Sequence, residues 1–199
     1  MKLRIIVCAL LGAALLGAVL PAALAAEKEK PSAEVEAKVA QVIKAAYPEV
    51  VITSMAKGNE DGVEVVGVAF TSKGNKMDAD VTPDGILVGT EEAADIKTFP
   101  RAAAVALRKA TKGMKTTFEI AKTYAKGEKD ASGAMKVVKL AAPIIAYEAD
   151  VEKDGQKGEF AVDANGKMLE SPKWAEAPNG KSEGKKENVK TKKESEEKD

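Results

Sequence analysis

Between residues 31 and 88 the apolar positions recur first every three or four residues and then every two. Val35, Val39, Val42, Ile43 and Ala46 fall on one side of a helical projection, with Glu36, Lys38, Gln41 and Lys44 opposite. Ser32 supplies an N-cap and Glu34 sits favourably in the first turn. Tyr47-Pro48 ends the element, because the residue before a proline is pushed out of the α region. The period then drops to two. Val50 to Ala56, Val63 to Thr71 and Lys76 to Val81 read as strands separated by the polar turns Gly58 to Gly62 and Ser72 to Asn75, and Gly85 to Val88 closes the unit. In the third strand Met77, Ala79 and Val81 alternate with Lys76, Asp78 and Asp80, the mark of one face on a core and one in water.

After a polar connector, Glu91 to Lys97, the pattern restarts. Thr98 and Pro100 open a second helix over Arg101 to Thr111, with Ala103, Ala106, Leu107 and Ala110 as its apolar stripe and Gly113 as its stop. Met114 to Tyr124 alternates, leaving Lys115, Thr117 and Glu119 on the side away from Thr116, Phe118 and Ile120. Gly127 to Gly133 reads as a polar loop. Ala134 to Lys153 reads as a strand broken, bulged or at an edge near Pro143, which cannot donate to a central ladder. Ile145, Tyr147, Ala149 and Val151 share one face of it.

One local motif occurs twice. Val81-Thr82-Pro83-Asp84-Gly85-Ile86-Leu87 is matched by Val162-Asp163-Ala164-Asn165-Gly166-Lys167-Met168-Leu169, each after an alternating run. The Asp-Gly and Asn-Gly pairs supply the positive φ of a tight turn. The expectation is an α+β protein of two tandem repeats, residues 31–90 and 98–174, each one helix on a roughly four-stranded antiparallel sheet. The second copy is longer by roughly 16 residues, placed between Gly127 and Pro143.

The helix-then-strands order, Ala45-Ala46-Tyr47-Pro48 followed by Val50 and Ile52, and the Val81 to Leu87 turn resemble the PepSY-like family. The closer likeness is to the exported tandem form related in fold to the beta-lactamase inhibitor protein. The second copy departs by having Ala110-Thr111-Lys112-Gly113 where a Tyr-Pro is expected. The resemblance implies small modules that bind proteins or peptides outside the cytoplasm, sometimes inhibiting a peptidase, and it implies no reaction.

The termini set the compartment. Lys2 and Arg4, an apolar run from Ile5 to Leu20 and the Ala23-Leu24-Ala25 box read as a signal peptide over residues 1–25, shorter and richer in small residues than a membrane span of roughly 20 residues. A periplasmic or secreted protein is expected, with no stable membrane span after cleavage. From residue 178 to 199 the chain is almost wholly Lys, Glu, Ser, Gly and Asn, a composition of disordered tails.

Composition removes most chemistry. The chain has no histidine, and its one cysteine, Cys8, lies in the signal segment. The mature protein thus lacks imidazole base, thiolate nucleophile and ordinary zinc ligands, so Ser54, Thr71 and Ser132 have no histidine to activate them. No cofactor or metal is expected. Basic and acidic residues balance at 31 each, which argues against nucleic acid. Asp78 and Asp80 could pair for glycoside cleavage or calcium, but a solvated outer face with Lys76 as counter-charge is the reading preferred. Tyr47, Phe118, Tyr124 and Tyr147 read as packing, and Trp174 as a lid over the second core or an exposed anchor. The expected function is a non-enzymatic protein- or peptide-binding module, inhibitory in one version. Its candidate partner face is Lys76, Asp78, Asp80, Lys115, Thr117 and Glu119. The alternative is a structural envelope protein held by its charged tail.

Overall fold

The structure is a computed structural model that describes residues 29–169 and 172–174. Both the signal segment and the tail from residue 178 lie outside the described residues.

Helix α1, Ala33–Ala46, begins where Val35 donates its N–H to Ser32 Oγ and ends with Tyr47 as C-cap. Strands β1, Val50–Glu60, β2, Val63–Ser72, β3, Asn75–Val81, and β4, Leu87–Ala93, follow. A 3-10 turn, Ile96–Thr98, leads to helix α2, Arg101–Ala110, and then to β5, Lys115–Lys129, β6, Met135–Lys153, β7, Gln156–Val162, and the two-residue β8, Lys173–Trp174. All pair in chain order, antiparallel, in one sheet.

That sheet corrects the expected architecture. There are not two repeats, each with a helix on its own four-stranded sheet: the supposed last strand of the first unit does not stop at Val88. It continues through Ala93, and its free edge is taken by β5, from Gly89 opposite Thr123 to Ala93 opposite Glu119. An unpaired β4 edge would expose a row of N–H and C=O groups, and the ladder to β5 satisfies them. Glu91, expected in a polar connector, therefore stands mid-sheet. The supposed loop after Gly127 is also strand. β5 runs to Lys129 and turns at Asp130, whose carboxylate accepts from the Ser132 and Ala134 N–H groups at 2.8 and 3.1 Å. Pro143 falls in an interruption of the β5–β6 ladder, between the Thr123–Ile144 and Ala125–Lys139 pairs.

Both helices lie on one side of the sheet over two apolar cores. Under α1, Val39 and Ile43 meet Val66, Val68, Phe70, Met77, Ala79 and Val81. Under α2, Ala103, Ala104 and Leu107 meet Phe99, Ala149, Val151, Phe160 and Val162. Register explains why these side chains coincide, since Phe70 stands opposite Met77 and Val68 opposite Ala79, while Phe118, Ala149 and Phe160 align across β5, β6 and β7. Helix α2 opens without the predicted Thr98 cap. Pro100 is its N-cap, and Thr98 donates instead to the Asp95 carbonyl at 2.8 Å.

The twice-occurring turn has one geometry. Gly85 N–H donates to Thr82 O and Gly166 N–H to Asp163 O, each at 2.9 Å, and both glycines hold positive φ. Gly166 sits so close to α2 that a Cβ would lie 2.5 Å from the Ala102 carbonyl oxygen, so only glycine lets this turn seat against the helix.

Candidate docking face

The side of the sheet away from the helices is built by the same alternation. In β3, Met77, Ala79 and Val81 enter the α1 core, so Asp78 and Asp80 must point the other way. Cross-strand register carries this parity along: Asp78 faces Glu91, Glu119 faces Glu148, and Asp150 faces Glu159. A strip of carboxylates therefore crosses five neighbouring strands, from β3 to β7. Lysines that share the face by parity, Lys76, Lys115 and Lys157, stand at strand ends, and Lys115 pairs with Glu152 at 3.6 Å.

Residues directly opposite on one face have Cβ atoms about 5 Å apart, and like charges there are destabilising. Two full charges at 4 Å repel by about 4 kcal/mol near a protein surface. Burial sharpens the conflict. Glu91 and Glu148 are 6 % and 4 % exposed, and Asp80 is 4 % exposed. Among the described residues no donor reaches Glu91 Oε1. Loss of water first, then the charges of Glu148, Glu119, Asp80 and Asp78, push the Glu91 carboxyl up to about 10. Desolvation, followed by Asp150, Asp78 and Glu159, pushes Glu119 up to about 7. Asp150 is also raised by desolvation, with Lys157 opposing. At neutral pH Glu91 thus keeps its proton, with Glu119 poised between its two forms.

One end of this face is partly covered. Beyond the interruption at Pro143 the β5–β6 arm brings Val137 against Val63, Val65 and Val88. Gly127 lies where a Cβ would be 2.7 Å from Met135 Cε and 2.8 Å from Val63 Cγ2, so the arm needs a bare backbone to lie flat there.

The predicted residues are distributed unevenly. Lys76, Lys115 and Thr117 are exposed, Asp78 and Glu119 are half-buried, and Asp80 is buried, not solvated as the alternation suggested. The β4–β5 ladder puts the two predicted groups on one continuous face, two strands apart. Sequence reasoning missed Glu91, Glu148, Asp150 and Glu159. The signal was present: Glu148, Asp150 and Glu152 alternate with the apolar Tyr147, Ala149 and Val151. Trp174 meets Phe160 edge-on at 6.2 Å while remaining 39 % exposed, so it borders the α2 core without sealing it. Among the described residues no group of three or more His, Cys, Asp or Glu side chains is arranged to hold a metal ion.

No protein-family model matches the chain, and no curated protein matches it. Among solved structures it is similar to a BLIP-like protein from Bacteroides fragilis, at 15 % identity and a TM-score of 0.46, over 76 % of this chain and 90 % of that one. It is also similar to a protein described as periplasmic from Bacteroides eggerthii, at 16 % identity and a TM-score of 0.46, over 69 % and 86 %. Likeness at this level assigns neither family nor activity.

Proposed function

We propose that this chain is an exported, non-catalytic binding module that captures a polypeptide through the helix-free face of its sheet. It works outside the cytoplasm, in the periplasm or as a secreted protein, in keeping with the Lys2 to Ala25 segment and with a described part in which no helix is long and apolar enough to cross a membrane. The observation that carries the reading is the carboxylate strip. A sheet face that crowds Asp78, Glu91, Glu119 and Glu148 together raises Glu91 so far that it keeps its proton at neutral pH, a strain that a purely structural surface has no reason to keep. A basic peptide segment laid across the strands relieves it, and charges so placed govern partner choice and association rate. Inhibition of a secreted peptidase is one use of such a face. Retention in the envelope by the charged tail is the competing use of the chain.

The test is binding of a fluorescent deca-lysine peptide to the exported protein, against a deca-glutamate control. Asp78→Asn with Glu119→Gln should weaken lysine-peptide binding at least tenfold without lowering the melting temperature. Asp80 is left intact because it is buried and its replacement would disturb folding. Equal binding of both peptides, or lysine binding indifferent to the double substitution, would show that the docking face lies elsewhere.

A further inference from the structure

The strip of carboxylates is not the whole of the charge pattern in this chain. Residues 181–193 hold six lysines, Lys181, Lys185, Lys186, Lys190, Lys192 and Lys193, against two acids, Glu183 and Glu187; the last six residues are net acidic. This segregation leaves the net charge of the chain at zero while giving one segment a strongly basic block.

The last described strand delivers that block to the strip. β8 pairs with β7 at the sheet edge, Lys173 opposite Glu159 and Trp174 opposite Gly158, so the chain leaves β8 one strand away from the β7 end of the strip. Neighbouring strands lie about 4.8 Å apart, which makes the path from β8 back to β3 roughly 24 Å. Lys181 follows Trp174 by seven residues and can already reach roughly 23 Å when extended. The remaining lysines have slack. A second observation marks the strip as short of hydrogen-bond donors: Glu91, 6 % exposed, lies among Asp78, Asp80, Glu119 and Glu148, with no donor on Oε1 among the described residues.

We propose that the basic block Lys181 to Lys193 of this same chain lies across the carboxylate strip and occupies it until a basic partner displaces it. The proposal rests on the reading of the helix-free face as the docking surface. A segment tethered beside its site competes at an effective concentration in the millimolar range, so weak individual Lys–carboxylate contacts suffice to cover the face and still yield to a tighter ligand.

Two measurements on the full exported chain decide it. Zero-length carbodiimide cross-linking at low salt should join lysines of residues 181–193 to Asp78, Glu119, Asp150 or Glu159 within one chain, and 0.5 M salt should abolish the products. Mixing isotopically light and heavy protein separates these from links between chains, and a predominance of the latter would overturn the proposal in favour of a second copy as occupant. The second measurement compares the parent with a variant whose residues 181–199 are reordered so that lysines and acids alternate, net charge unchanged. The variant should bind deca-lysine at least fivefold more tightly, and a synthetic peptide of residues 179–193 should compete. If both proteins bind deca-lysine equally, the tail does not cover the face although the face binds. If neither binds it, the docking reading itself fails and the tail proposal with it.

Discussion

Over β3 and β4 the two faces of this one sheet both bury side chains, and they bury opposite kinds. Toward the helices β2 and β3 present Val66, Val68, Phe70, Met77, Ala79 and Val81, all under 7 % exposed. Away from the helices the same region of the sheet presents Asp78, Asp80 and Glu91. The first set gains from burial at roughly 25 cal/mol per Å² of apolar surface removed from water. The second set is penalised by it, because each carboxylate loses hydration and Asp78 meets Glu91 across the strands. Period-two alternation thus says which residues share a face, while the chemistry of each face decides whether burial stabilises it or strains it.

The helix-covered face should show the largest effect. Phe70 is 2 % exposed, sits under α1 and tilts against Tyr47 with ring centroids 5.1 Å apart. Phe70→Ala should cost about 3–5 kcal/mol of unfolding free energy, the range for truncating a buried aromatic. Urea denaturation reads this directly. A loss below about 1 kcal/mol would mean that the α1 core is not the packed layer described above.

The opposite face should answer with the opposite sign. Glu91 has its folded value raised from 4.5 to about 10, so the folded state binds a proton that the unfolded chain gives up. Its contribution to stability is fully present below about pH 4.5 and is lost progressively as pH rises toward 10, by up to about 1.4 kcal/mol per pH unit. Glu91→Gln keeps the shape of the neutral carboxyl and removes the titration. The variant should match the parent near pH 4.5 and exceed it by roughly 2 kcal/mol or more at pH 8. A parent whose urea midpoint is the same at pH 5 and pH 8 would contradict the burial of this group.

How much of this was legible beforehand follows the same division. The elements were, because Val35 to Ala46 and Lys76 to Val81 have periods that only one secondary structure can bury. So were Ser32 as cap and the glycines of the two turns, which are local requirements. The joining of β4 to β5 was not. Leu87 to Ala93 carries Gly89, Thr90, Glu91 and Glu92, a composition that reads as a connector, and only the availability of β5 as a ladder partner makes it a central strand. Strand pairing between distant segments leaves no periodic trace in either one. The strip was half legible for the same reason. Alternation put Asp78 with Asp80 and Thr117 with Glu119, but which carboxylate stands opposite which depends on register between β3, β4, β5 and β6. Burial of Asp80 and Glu148 depends in turn on how the sheet curves and on what lies across it.

Within the strip a finer contrast separates Glu119 from Glu91. Glu119 is half-buried, and its folded value is raised only to about 7, by desolvation first and by Asp150, Asp78 and Glu159 after it. The sign is the same: the stability it contributes is complete below about pH 4.5 and is gone once pH passes 7. The window is narrower, so the difference between Glu119→Gln and the parent should grow from pH 4.5 to 7 and then stay level, at about 1 kcal/mol after allowance for solvent screening. The Glu91→Gln difference should keep growing through pH 9. Lysine-peptide binding supplies an independent reading of the same proton. Ionisation of Glu119 adds a charge to the strip, so affinity of the parent for deca-lysine should rise severalfold between pH 5 and pH 8 and be nearly flat above. Glu119→Gln should flatten that rise. If the rise persists unchanged in Glu119→Gln, another carboxylate of the strip titrates near neutrality, and Asp78 or Glu159 becomes the group to replace next.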